Sequence, residues 1–246
     1  MCSRPEEGFS GWRPYSVTMR LRGHRRCHRC DTQWSYFDAG EVACPNCGSL
    51  RSRGLDRDRV RHTDSAVEID LAPVRRMVAD QPVSAVAAAA AEAARSYLAR
   101  RGFIDGGDLQ PLDEAFVDTA ELRQVATALC SRLDPDEAAE RYFLALLADG
   151  RESPATVPPS LQQAHGLAAV EAVEAYHRDL RRWLDDHPDA LARDGLDRLR
   201  DHRRRVAALD GDIPPADAAR LLDAARALGR FLRAGNGDAI DRVHRR

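Results

Sequence analysis

Four of the six cysteines fall into two short pairs, Cys27-His28-Arg29-Cys30 and Cys44-Pro45-Asn46-Cys47, with thirteen residues between them. A Cys-x-x-Cys turn is tight enough to aim both sulfurs at one point. Two such turns facing each other supply the four thiolates of a tetrahedral metal site. Gly48, just after the second pair, suits the place where backbone N–H groups turn back toward the sulfurs. The spacing predicts one structural Zn²⁺ held by Cys27, Cys30, Cys44 and Cys47. Iron in a rubredoxin-like S4 site is the chemical rival, because tetrahedral thiolate sets accept either metal, and the residues leave that choice open. A disulfide framework fits less well in a chain that reads as intracellular. A thioredoxin-like redox site needs one such pair in a βαβ setting, not two facing each other. Four thiolates fill the coordination sphere and leave no position for an activated water, so the metal is not expected to be catalytic. His24 and His28 read as exposed ring donors beside the ligands. Cys130, among Val125, Ala126, Leu129 and Leu133 at helical spacing, reads as a buried apolar thiol.

The second chemistry is electrostatic. Residues 19–62 hold ten Arg against five acidic residues, whereas residues 1–18 are balanced and the rest of the chain is acidic, for a formal net charge of −2 overall. Four thiolates and a divalent cation would lower the basic segment from +5 to about +3. Within it, Arg20, Arg22, Arg25, Arg26, Arg29, Arg51 and Arg53 flank Trp34 and Tyr36. Arginine grips phosphate while an aromatic ring stacks on an unpaired base. Nucleic acid or a protein of the transcription machinery is therefore the expected partner, and a protein-interaction module or scaffold with a purely structural zinc is the alternative. All 37 basic residues are Arg and none is Lys, a substitution that GC-rich coding explains without selection on function. Arg203-Arg204-Arg205 and Arg181-Arg182 could extend a nucleic-acid footprint, but Asp189/Arg193, Asp194/Arg198 and Asp201/Arg205 are i, i+4 pairs of a salt-laced helix face.

Positioning the ligands requires a small β element. Thr32 to Phe37 is rich in β-formers and places Trp34 and Tyr36 on one face, Asp38-Ala39-Gly40 can turn, and Glu41 to Ala43 returns, so a hairpin is expected between the pairs. Beyond residue 62 the pattern is helical. The chain has 40 Ala, and Leu outnumbers Ile 25 to 4, a balance that favours helices over a large sheet. Pro73 and Pro82 open a short helix to about Asp80 and a longer one to Arg101, and Gly102 and Gly106-Gly107 break the chain. Asp134-Pro135-Asp136-Glu137 restarts it with a Glu three places after the cap. Ser160 is expected to cap a long helix with the stripe Ala169, Val173, Tyr176, Leu180, Trp183 and Leu184. Pro188 and Pro214-Pro215 start two more.

The fold class expected is mainly α. A β zinc ribbon of rubredoxin-like type over 19–62 is followed by an all-α bundle or array over 63–246, divisible near 150–160. Residues 1–18 read as a disordered arm or a misplaced start, with Met19 as the true first residue. Glu174-Ala175-Tyr176-His177 has the Glu-x-x-His spacing of di-iron bundles but lacks the second copy such sites need. No phosphate loop, His-Glu-x-x-His or Gly-x-Ser-x-Gly occurs, so no enzyme, catalytic residue or small-molecule substrate is expected. No apolar run is long enough for a membrane span, and a cytoplasmic protein is expected.

The run from Arg22 to Arg53, with its two cysteine pairs, Gly40-Glu41-Val42-Ala43-Cys44 and Cys47-Gly48-Ser49, resembles the zinc ribbon of transcription factor IIB. From Met19 on, with Arg22-Gly23, Trp34-Ser35-Tyr36 and Cys47-Gly48-Ser49-Leu50-Arg51 ahead of a helical remainder, the chain is similar to an uncharacterised haloarchaeal family with such a ribbon. The resemblance implies zinc on the same four cysteines and no known activity. Two departures stand out: the body lacks the paired cyclin-like repeats of transcription factor IIB, and the net charge is less negative than salt-adapted proteins usually carry.

Overall fold

The computed structural model describes residues 19–65, 67–130, 136–148 and 156–243. Residues 1–18, Leu133 and Asp134 lie outside them, as does most of the linker expected from Gly150. The chain opens with short antiparallel strands: β1 (Met19–Leu21), β2 (His24–Cys27), β3 (Gln33–Ser35), β4 (Ser52–Gly54) and β5 (Val60–His62), interrupted by one helical turn, α1 (Tyr36–Ala39). β2 lies between β3 and β4, and β1 pairs with β5. The expected hairpin between the cysteine pairs does not form. Trp34 pairs instead with Arg25, on the strand that precedes the first pair. Ser35 then caps α1 through Asp38 N, and Gly40 closes it at φ 64°, so Tyr36 leaves the strand and no returning strand follows.

The body is helical: α2 (Ala72–Met77), α3 (Val83–Arg100), α4 (Glu114–Cys130), α5 (Glu137–Leu147), α6 (Gln162–Asp186), α7 (Ala190–Ala208) and α8 (Pro215–Val243). Helices α4 and α6 are central; α3 and α5 pack on α4, while α7 and α8 pack on α6 and on each other. Apolar stripes decide this arrangement. Ala169, Val173, Tyr176, Leu180, Trp183 and Leu184 of α6 are all buried, and Tyr176 makes an edge-to-face contact with Phe103 at 4.9 Å. Close approach also needs glycine: a Cβ on Gly166 would sit 2.0 Å from the Gly211 carbonyl oxygen.

Two starts differ from expectation. Asp136, not Asp134, caps α5 by accepting from Ala139 N at 2.9 Å. Ser160 does not cap α6, because Pro159–Leu161 forms a 3₁₀ turn that runs into the helix. The short β6 (Ile104–Asp105) and β7 (Asp108–Leu109) join through Gly106 and Gly107 at φ 56° and 97°, the positive-φ pair that a two-residue hairpin demands.

This hairpin is where the N-terminal lobe meets the body. Phe37 lies over Gly106, and Gly107 O accepts from Trp183 Nε1 at 3.2 Å. Thr63 N donates to Ile104 O at 2.8 Å, and Arg20 and Arg61 both reach Asp186 at the end of α6. His62 is buried in the joint under the rings of Tyr36 and Phe37. Its Nδ1 accepts from Gly106 N at 3.2 Å and lies 3.3 Å from Asp105 Oδ1. Burial holds the imidazole below its ordinary 6.5, against the pull of Asp105 and Asp64, and the same burial raises the Asp105 carboxyl.

The sign of the pH effect follows. As pH falls through 6.5 the unfolded chain takes up a proton that folded His62 refuses, so stability drops, by at most about 1.4 kcal/mol per pH unit for this one group. Asp105 acts oppositely and lower, between its ordinary 3.8 and its raised folded value. His62→Asn keeps an acceptor for Gly106 N but does not titrate. Urea midpoints of metal-loaded protein at about pH 7.5 and 5.5 should therefore fall less in the variant than in the wild type. Equal falls would show that His62 does not titrate in this window.

Candidate metal centre

Each cysteine pair is held by the same backbone device, seventeen positions apart. Cys27 N donates to Thr32 O at 2.9 Å, and Cys44 N donates to Ser49 O at 3.0 Å. The residue after each pair turns left-handed: Gly48 at φ 66° and Asp31 at φ 56°. Sequence reasoning recognised the first and missed the second, because Asp tolerates this conformation less conspicuously than Gly. Arg29 N reaches Cys27 Sγ at 3.3 Å, the amide-to-sulfur contact such a turn is built to give.

The four sulfurs converge, all within 4.8 Å of one another. Cys30 Sγ lies 3.6 Å from Cys44 Sγ and 3.4 Å from Cys47 Sγ, and Cys27 Sγ lies 3.6 Å from Cys47 Sγ. A tetrahedron with metal–sulfur bonds of about 2.3 Å has edges of about 3.8 Å, so the donor set fits a single four-coordinate ion. Electrostatics act on these sulfurs unequally. Hydrogen bonds from the Thr32 side chain and backbone pull Cys30 down to about 6, and the Arg29 and Cys30 amides lower Cys27 against the opposing effect of burial. The Ser49 amide acts to lower Cys47, but its sulfur neighbours and burial outweigh it and push that thiol up to about 12. Four sulfurs this close ionise together only around a cation, and with four donors the centre offers no open position for substrate.

The candidate contact residues divide. Arg22, Arg29, Arg51 and Arg53 are exposed, while Arg25 is half-buried and donates from Nε to Ser52 Oγ at 3.0 Å. Arg26 and Arg53 face each other directly across β2 and β4. None of these six arginines makes an ion pair among the described residues. Arg20, by contrast, is occupied by Asp186. Trp34 is only 8% exposed and packs with Cys27 and Cys44, so the ring expected to stack on a base is instead core of the lobe. Tyr36 faces His62 edge-on at the joint. His28 is exposed, and His24 Nδ1 is 2.8 Å from Asp56 Oδ1. Cys130 is half-buried beside the α3–α4 core rather than fully enclosed. Glu174 and His177 do not act as a pair, since Glu174 binds Arg203 and His177 Nε2 donates to Leu196 O at 3.2 Å.

Sequence reasoning passed over the residues that join lobe to body: Thr63, Asp105, Asp179 and Asp186. One signal was available. Asp179 stands three residues after Tyr176 and four before Trp183, inside the apolar stripe of α6, where a carboxylate must find buried partners.

Fold and site together define a mainly helical protein with a four-cysteine cluster, able to hold a metal ion, on a small antiparallel lobe at its N-terminal end. Residues 19–246 match the model of a family of unknown function, DUF7117, and the chain belongs to that family. No curated protein and no solved structure matches it. No described helix is long and apolar enough to cross a membrane.

Proposed function

We propose that residues 19–62 form a zinc ribbon of the transcription factor IIB type, with one structural Zn²⁺ on Cys27, Cys30, Cys44 and Cys47, and that this non-enzymatic protein binds nucleic acid through it. One observation carries the reading: Arg22, Arg25, Arg26, Arg29, Arg51 and Arg53 gather on the small lobe around the cysteine cluster and lack carboxylate partners among the described residues. Like charges set opposite each other, as Arg26 and Arg53 are, destabilise a strand pair unless an anion lies over them. The contact expected is with backbone phosphate, since the Trp34 ring is buried in the lobe and cannot stack on a base. A source among the haloarchaea and a cytoplasmic location belong to the same proposal.

Binding of single-stranded and duplex DNA and RNA by the zinc-loaded full chain, titrated against salt, tests it. Affinity should fall linearly on a log–log plot, and changing Arg26, Arg29 and Arg53 together to Ala should flatten the slope by about 2 to 3. Absence of binding at low salt would eliminate the reading. The second reading, docking of the ribbon on a protein, is favoured by Leu50 and Val42, which stand 72% and 47% exposed on the lobe.

A further inference from the structure

Between α3 and α6, where both lean on α4, lies a cleft of about 350 Å³, within the range of small-molecule sites. Its floor is apolar. Phe103 and Phe116 meet edge to face at 4.8 Å, both buried, and Leu98 stands on the α3 wall. Four guanidinium groups and three carboxylates line the rest, and their partners differ in a way that selects an occupant.

Each carboxylate is already engaged. Glu171 takes Arg123 and Gln124, Glu174 takes Arg203, and Asp179 takes Thr63, Phe103 N and Arg182. Arg101 is held by Asp64 and Asp113. Arg178, on the α6 wall, makes no ion pair among the described residues. Arg95, on the α3 wall, has only Glu92 on its own helix, with both side chains more than half exposed. Such a surface pair is worth little and yields readily to a better acceptor. The cleft thus presents one available guanidinium from each wall above an aromatic floor, and it offers no carboxylate free to attract a cation.

We propose that this cleft binds a small organic anion, a phosphate monoester or carboxylate carrying an apolar or aromatic group. Arg95 and Arg178 receive the charged head, and the apolar body lies against Leu98 and Ala175, which line the two walls. Two arginine forks suit such a head because their N–H groups donate to its oxygens in a planar, bidentate manner. The site is separate from the basic face of the N-terminal lobe, and the proposal does not depend on nucleic-acid binding.

Calorimetric titration of the zinc-loaded full chain with phenyl phosphate tests this, with inorganic phosphate as the head alone and phenol as the body alone. Phenyl phosphate should bind saturably and at least about tenfold more tightly than either fragment. Arg95→Ala and Arg178→Ala should each weaken it about tenfold, while Arg204→Ala, on the exposed side of α7, and the Arg26/Arg29/Arg53→Ala protein should bind like the wild type. Circular dichroism checks that the variants remain folded. No saturable binding of phenyl phosphate or benzoate up to about 10 mM overturns the proposal. So does binding that survives both Arg95→Ala and Arg178→Ala, or that is lost in the lobe variant, which would put the anion on the lobe.

Discussion

Replacing Cys44 by Ser is expected to weaken metal binding by at least about 100-fold and to unfold the N-terminal lobe without unfolding the helical body. The reason is the size of the lobe's own core. Its hydrophobic core is Cys27, Trp34 and Cys44, with Cys30 and Cys47 half-buried beside them. Five short strands and one indole cannot offset the chain entropy of more than forty residues, so ligation has to supply the difference. A neutral hydroxyl at Cys44, which is 2% exposed, removes one charge from the cage and leaves its cavity badly filled. Stripping the wild-type metal with a chelator should give the same state. Hydrogen exchange reads it directly. The amides of Cys27, Tyr36 and Cys44, bonded to Thr32, Gly23 and Ser49 oxygens, should lose protection, while those of α4 and α6 keep theirs and the helical circular dichroism changes little. Protected lobe amides in metal-free protein would show that the lobe folds on side-chain packing alone.

What the sequence made legible was local. The four ligands announce themselves because a tight turn needs two intervening residues, and the stripe of α6 is readable because Tyr176, Leu180 and Trp183 repeat with the helix period. Asp189 before Ala190 likewise behaves as a helix start should, accepting from Ala192 N at 2.8 Å. Misreadings arose where local rules compete. Gln33–Ser35 is too short for alternation to reveal its partner, and β2, on the near side of Cys27, outcompetes a return strand because the same ladder extends through Arg26 to Arg53. Trp34 looked like a contact residue because aromatic side chains among arginines suit nucleic acid. The small lobe uses that ring as its core. Residues that act across long separations left almost no trace: Thr63 and Asp179 are 116 positions apart, and nothing around Thr63 distinguishes it from a linker.

That pair carries the second large effect. Asp179 is 3% exposed, and its Oδ2 accepts from Thr63 Oγ1 at 2.6 Å and from Phe103 N at 2.8 Å, while Oδ1 takes Arg182 at 3.0 Å. The Thr63 hydroxyl accepts in turn from Ile104 N at 3.1 Å, so one carboxylate organises the strand leaving the lobe, the loop after α3 and the middle of α6. Asp179→Ala strands the Phe103 amide and the Arg182 guanidinium together and should cost about 3–5 kcal/mol of unfolding free energy. Asp179→Asn keeps an acceptor for Thr63 and Phe103 but turns an amide N–H₂ toward Arg182, so a loss of about half that size is expected. Thr63→Val should be smaller again, about 1–2 kcal/mol, and strongly non-additive with Asp179→Ala because the two side chains form one chain of hydrogen bonds. If the two substitutions add independently in urea unfolding, the carboxylate does not hold the lobe to the body through Thr63. The same non-additivity should appear when exchange is followed at the Thr63 and Ile104 amides alone, since either single variant would already open both.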